Sequence, residues 1–223
     1  LGLWQHNNQF SAHYSLSENN ELKIDYYAVT DQDTVVNLSN HSYFNLLGHD
    51  AGDIRDHELK IYANKFTAID EECLTTGEII DVRGTPFDFT ELSPIGPGLD
   101  SQDEQIVCGG GYDHNWILND NSGELEKAAE LYEPTSGRFM EVYTTKPGIQ
   151  FYSGNFLDGS EVCKDGAIYG KRGGLCLETQ FFPNSLRHKH FPSPILKVGE
   201  EYRHSTIYQF SIKWGVNQCA PKL

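Results

Sequence analysis

The run Gln9-Phe10-Ser11-Ala12-His13-Tyr14-Ser15-Leu16, followed across the polar turn Glu18-Asn19-Asn20-Glu21 by Leu22-Lys23-Ile24-Asp25-Tyr26, decides the fold. Successive side chains on an extended strand point to opposite faces. Phe10, Ala12, Tyr14 and Leu16 therefore share one face, with Ser11, His13 and Ser15 on the other, and Leu22, Ile24 and Tyr26 resume the alternation. Two half-buried strands joined by a polar turn make a β-hairpin. Further strand candidates are Val35-Leu38, Glu58-Ala63, Asn115-Leu118, Phe139-Thr144, Ile149-Tyr152, Leu175-Glu178 and Ile207-Trp214, the last alternating with Tyr208, Phe210, Ile212 and Trp214 on one face. Gly, Asn and Asp separate them at 119–123, 134–137 and 158–159, where such residues tolerate positive φ. Gly123-Tyr132 alone has a helical composition, and it reads equally well as a strand around Ala128-Leu131. The Ser93-Pro94-Ile95-Gly96-Pro97-Gly98 stretch reads as a surface loop. The expected fold is all-β, a large antiparallel sandwich forming a single domain over residues 1–223.

A net charge of −15, from 17 Lys and Arg against 32 Asp and Glu, repels phosphate backbones and anionic lipid, so neither nucleic acid nor a membrane is an expected partner. It also disfavours a phosphorylated substrate, unless Arg172, Arg187 and Lys189 form a local basic pocket. The sequence has no apolar run of the roughly 20 residues that span a bilayer and no basic-then-apolar leader. Its five cysteines, Cys73, Cys108, Cys163, Cys176 and Cys219, are scattered and odd in number. These features predict a soluble cytoplasmic protein with reduced thiols. Asn37-Leu38-Ser39 and Asn40-His41-Ser42 match the short glycosylation pattern, which has no meaning outside the secretory pathway. The chain begins at Leu1 and its one methionine is Met140, as expected of a piece of a longer protein.

Two segments carry candidate acid–base chemistry. His41 lies in Asn40-His41-Ser42-Tyr43-Phe44-Asn45, where Tyr43 and Phe44 are expected to pack on either side of it. Glu178 ends the apolar run Leu175-Cys176-Leu177, where desolvation raises a carboxylate toward a useful base. From spacing alone, a histidine in a local hydrogen-bond network and a strand-end glutamate in water remain equally open. Gly111-Tyr112-Asp113-His114-Asn115 offers three polar side chains to sugar hydroxyls, or is an ordinary turn before a strand. Gln150, among Ile149, Phe151 and Tyr152, adds an amide beside rings able to stack on a sugar, or simply faces outward. His188-Lys189-His190 sets two imidazoles on one face but lacks a third ligand, and no metal is assigned to it.

Taken in order, residues 37–46, Tyr112-Asp113-His114-Asn115, residues 150–159, Cys176-Leu177-Glu178-Thr179-Gln180, and the tail from Phe191-Pro192 to Phe210 closely resemble the aldose 1-epimerase (galactose mutarotase) family. The resemblance implies a β-sandwich whose concave face binds a free hexose, galactose or glucose, and interconverts its anomers without a cofactor. By motif position, His41 corresponds to the general acid, Glu178 to the general base, and Asp113 and Gln150 to residues holding sugar hydroxyls. Opening a hemiacetal needs one proton delivered and one removed, which such a pair supplies. The family also carries, upstream, an arginine in an Asn-Arg motif and a histidine in a His-Gly-Gly motif. This chain has neither, which marks it as the C-terminal portion of that domain. Two further readings stand beside the enzyme: a non-catalytic sugar-binding or regulatory module, and a hexose-6-phosphate mutarotase.

Overall fold

The computed structural model describes residues 8–120 and 122–213. Its strands are β1 (Gln9–Leu16), β2 (Glu21–Val29), β3 (Thr34–Val35), β4 (Tyr43–Phe44), β5 (Glu58–Ile61), β6 (Ala63–Ile69), β7 (Thr75–Asp81), β8 (Ser93–Pro94), β9 (Asp113–Leu118), β10 (Glu126–Tyr132), β11 (Arg138–Thr144), β12 (Gly148–Tyr152), β13 (Leu175–Gln180), β14 (Ile195–Leu196) and β15 (Tyr202–Ile212). Two short helices, α1 (Gly96–Leu99) and α2 (Glu104–Cys108), fall between β8 and β9. Antiparallel pairing builds a seven-stranded sheet in the order β1-β2-β15-β11-β10-β5-β8 and a six-stranded sheet in the order β4-β13-β12-β9-β6-β7. The expected antiparallel β architecture is the one observed.

The two sheets share one core because alternate residues of each point inward. Ile24, Tyr26 and Ala28 on β2 and Tyr208 on β15 are buried from one side, and Trp116, Ile149, Phe151, Leu175 and Leu177 from the other. Contacts between the layers are direct: Tyr208 packs on Phe44 with ring centroids 5.0 Å apart, and its hydroxyl donates to the Leu177 carbonyl at 2.8 Å. Thr179 and Thr206 hydroxyls meet at 2.5 Å. Each side chain of this size contributes about 1.5–3 kcal/mol when removed from water.

The β1–β2 hairpin forms as its alternation requires, with Asn20 at φ +59° in the turn. Its register sets Tyr14 opposite Ile24 and Ala12 opposite Tyr26, so the apolar residues of β1 lie on the inward face. All of β1 is nonetheless exposed. No strand of the six-stranded sheet roofs it among the described residues.

Several expectations need correction. Glu58-Ala63 is not one strand: the chain changes sheets at Tyr62, whose amide donates to Ala128 of β10 and whose carbonyl accepts from Asn119 beyond β9. An alternating pattern does not register such a corner. Of Val35-Leu38, only Val35 pairs as strand, at the end of β3. Of the two readings left open for Gly123-Tyr132, the strand is the one found, as β10 (Glu126–Tyr132) between β5 and β11. Residues 93–98 are not a surface loop, since Ile95 is fully buried, its amide and that of Gly96 bond to the His57 and Arg55 carbonyls, and α1 follows. Trp214, at the end of the last expected strand, lies outside the described residues, as does Cys219.

Candidate active site

Pairing in the six-stranded sheet puts Tyr152 beside both Asp113 and Cys176, with Tyr43 beyond Cys176. The next rung sets Gln150 beside both Asn115 and Glu178. Because β9, β12 and β13 alternate in step, these residues share the outer face, while His114, Trp116, Ile149, Phe151 and Leu177 occupy the core face. The period of two thus gathers three of the four expected site residues, Asp113, Gln150 and Glu178, on one surface.

The fourth, His41, comes from the loop between β3 and β4, and the residues around it fix it in place. Asn37 donates its side-chain amide to the Phe181 carbonyl and accepts the Phe181 amide, both at 2.9 Å. Ser39 donates to the Thr179 carbonyl at 2.9 Å, and Lys146 Nζ donates to the Leu38 carbonyl. Asn40 Oδ1 accepts the Ser42 amide at 3.1 Å, turning the chain into β4. Clamped this way, His41 Nε2 lies 3.5 Å from Glu178 Oε1, and Nδ1 lies 3.3 Å from Cys176 Sγ. Tyr43 and Tyr152 flank the imidazole, at centroid distances of 5.2 and 6.1 Å. Phe44 does not flank it. Its ring turns inward onto Tyr208 and Phe210, as expected of adjacent residues on a strand.

Burial pushes the Glu178 carboxyl up to about 7, the nearby Asp113 charge adds to this, and His41 opposes both. The group therefore exchanges its proton near neutrality, which suits a general base. Asp113 is also raised by burial, offset by the hydrogen bond from Gln150 and by His41. An amide chain orients this corner: Gln180 Nε2 donates to Gln150 Oε1 at 2.9 Å, and Gln150 Nε2 donates to Asp113 Oδ1 at 2.8 Å. Gln180 also reaches Asn115 Oδ1 at 3.2 Å.

Of the three polar side chains expected from residues 111–115, Asp113 and Asn115 share the site face. His114 instead is fully buried against Phe66 and Phe87, where its Nδ1 accepts the Asp113 amide at 3.1 Å. Arg172, Arg187 and Lys189, which together could have made a local basic pocket, do not form one. The Arg172 guanidinium is buried and donates to the Gly110 carbonyl at 2.8 Å, Ser153 Oγ at 2.9 Å and Asn155 Oδ1, tying together the loops that open β9 and follow β12. Arg187 and Lys189 are exposed on a separate segment. His188 and His190 each bond a carbonyl of β7, at Thr75 and Gly77. Among the described residues, a cavity of about 1050 Å³ lies elsewhere, between β6, β7 and α2.

Reading from the sequence alone gave no role to Cys176 or Gln180, and named Tyr152 only as a ring beside Gln150. The signal was the same period of two: Cys176 and Gln180 flank Glu178 at two residues on either side, and Tyr152 follows Gln150 by two.

The family model described as Aldose 1-epimerase matches residues 1–209. This chain belongs to the aldose 1-epimerase family. It is 48% identical to galactose mutarotase of Sus scrofa over 192 residues, 86% of this chain and 54% of that protein. It is 37% identical to aldose 1-epimerase of Escherichia coli K12, covering 88% of this chain and 57% of that one. Among solved structures, an aldose epimerase homologue from C. elegans superposes with a TM-score of 0.80 at 26% identity, covering 92% of this chain and 60% of that one. A galactose 1-epimerase from Lactobacillus acidophilus gives 0.78 at 27% identity, covering 93% and 62%. The chain spans about half the length of the curated relatives it matches.

Proposed function

We propose that this protein interconverts the α and β anomers of a free hexose, galactose or glucose, by acid–base ring opening and closure. The observation that carries the reading is the facing pair His41 and Glu178, a donor and an acceptor 3.5 Å apart, with the carboxyl moved into the neutral range. Glu178 removes the proton from the anomeric hydroxyl while protonated His41 delivers one to the ring oxygen. The C1–O5 bond breaks and the aldehyde forms. Rotation about C1–C2 presents the other carbonyl face, and closure with the roles exchanged returns both protons, so no net proton is consumed. Asp113 and Gln150 hold sugar hydroxyls, and Tyr43 and Tyr152 offer ring faces to the sugar's C–H surface.

The chain is further proposed to be the C-terminal portion of a longer domain. The open inward face of β1 and the uncovered half of the relatives' length support this. Cytoplasmic location belongs to the same proposal; among the described residues no helix is long and apolar enough to cross a membrane. The share of the relatives' length that the chain leaves uncovered favours a second reading, a sugar-binding module without catalysis.

Glu178→Gln separates the two. The amide keeps the shape but accepts no proton, so the mutarotation rate should fall by roughly 10²–10⁴-fold, the usual contribution of a general base, while galactose binding persists. A variant with near-normal rate refutes the assignment.

A further inference from the structure

We propose that His41, Cys176 and Glu178 form a binding site for a single thiophilic divalent cation, Zn2+ above all, and that its occupancy switches the catalytic pair off. One ring nitrogen of His41, Sγ of Cys176 and a carboxylate oxygen of Glu178 all lie within 4.8 Å of one another. The sulfur is already 3.3 Å from His41 Nδ1. A tetrahedral zinc with bonds of about 2.3 Å to sulfur and about 2.0–2.1 Å to nitrogen and oxygen sets its ligand atoms roughly 3.4–3.6 Å apart. The spacings therefore need to close by about an ångström, with the His41 ring turned so that one nitrogen serves the ion, since Nδ1 now faces Cys176 and Nε2 faces Glu178.

The backbone holds the set together for reasons independent of any ion. Cys176 and Glu178 are alternate residues of β13 and so point the same way, and the hydrogen-bonded loop that ends at β4 lowers His41 over both. Three protein ligands with an open fourth position is the arrangement of a zinc site that retains water. His41 is open to solvent, with 55% of its side chain exposed, whereas Glu178 is 14% exposed and Cys176 is buried, so an ion must enter from the His41 side. The chain as a whole carries a net charge of −15, so the field favours a cation.

The donor set decides which cation. Sulfur, imidazole nitrogen and carboxylate oxygen together favour Zn2+, Co2+ or Cd2+ over Mg2+ and Ca2+, which prefer all-oxygen shells. On binding, the Cys176 thiol releases its proton to solvent as the metal–sulfur bond forms, His41 coordinates through a neutral ring nitrogen, and no electron is transferred. The ion then occupies the acid and the base at once. Inhibition rests on the proposed mutarotase reading; coordination does not.

The test is a Co2+ titration of the chelator-treated chain, followed by absorption. A thiolate-to-cobalt charge-transfer band saturating at one equivalent and displaced by Zn2+ is expected, and Cys176→Ser should lose it. Absence of the band, or its full retention in folded Cys176→Ser, overturns the proposal. Should Cys176→Ser not fold, His41→Gln, on an exposed loop, must raise the cobalt dissociation constant at least tenfold; an unchanged constant is equally fatal. Excess Zn2+, but not Mg2+, should slow mutarotation at least tenfold, with recovery on chelation. A chain that binds cobalt this way yet never accelerates mutarotation refutes the proposed function and leaves the metal site standing.

Discussion

His114 should make the protein acid-labile by an amount that its burial sets. The ring is fully buried between Phe66 and Phe87, its Nδ1 accepts the Asp113 amide, and Nε2 faces no protein partner. Burial alone pushes its pKa down to about 3, from an ordinary value of 6.5. Because the folded state resists the proton, the unfolded chain takes it first. Stability is therefore complete above pH 6.5 and declines as pH falls toward 3. At about pH 4.5, two units below the unfolded value, this one residue should cost about 2–3 kcal/mol at roughly 1.36 kcal/mol per unit. Protonation would also break the bond to the Asp113 amide and so loosen a residue of the site. The assay is urea unfolding at about pH 7 and about pH 4.5, for the native chain and for His114→Gln, which keeps an acceptor but does not titrate. The native chain should lose about 2–3 kcal/mol more than the variant over that interval. Equal losses would show that His114 is not held neutral by its surroundings and refute the reasoning.

Three further perturbations have expected outcomes. Gly154 has φ +66°, and a Cβ there would meet the Gly174 carbonyl, so Gly154→Ala should destabilise by about 1–3 kcal/mol, read as a lowered thermal midpoint. Gln150→Ala removes the amide that holds Asp113 Oδ1, so the KM for galactose should rise more than kcat falls in initial-rate measurements. Lys146 is buried over the Tyr26 and Tyr202 rings, and burial lowers its pKa to about 7. Its folded value lies below its unfolded one, so stability should climb by about 1.4 kcal/mol per unit as pH rises from 7 toward 9, and Lys146→Met should flatten that slope in urea titrations.

Much of the fold was legible because period-two alternation is a backbone property, and β2, β12 and β15 display it, while β9 and β13 read as strands from short apolar runs. What alternation misses is where a strand turns a corner. Glu58-Ala63 reads as a single strand, yet Tyr62 divides its hydrogen bonds between two sheets. Nor does alternation say which face is roofed. Phe10 and Tyr14 look like core residues and point inward, yet each stays more than half exposed. In the site, Asp113, Gln150 and Glu178 converge through strand register, which no local sequence pattern specifies. His41 reaches them through long-range bonds from Asn37 and Ser39 to residues about 140 positions away. The fate of His114 was hidden by its polarity: it alternates with Asp113 and Asn115, and that alone sends it into the core.

The central claim is that this chain moves protons on a sugar. The most direct measurement is polarimetry of freshly dissolved α-D-galactose and α-D-glucose, with and without the chain. Decay to the same final rotation, at a rate that grows linearly with protein concentration and reverts to the spontaneous rate with Glu178→Gln, is the predicted result. A folded chain that binds galactose but leaves the rate at its spontaneous value would contradict the account.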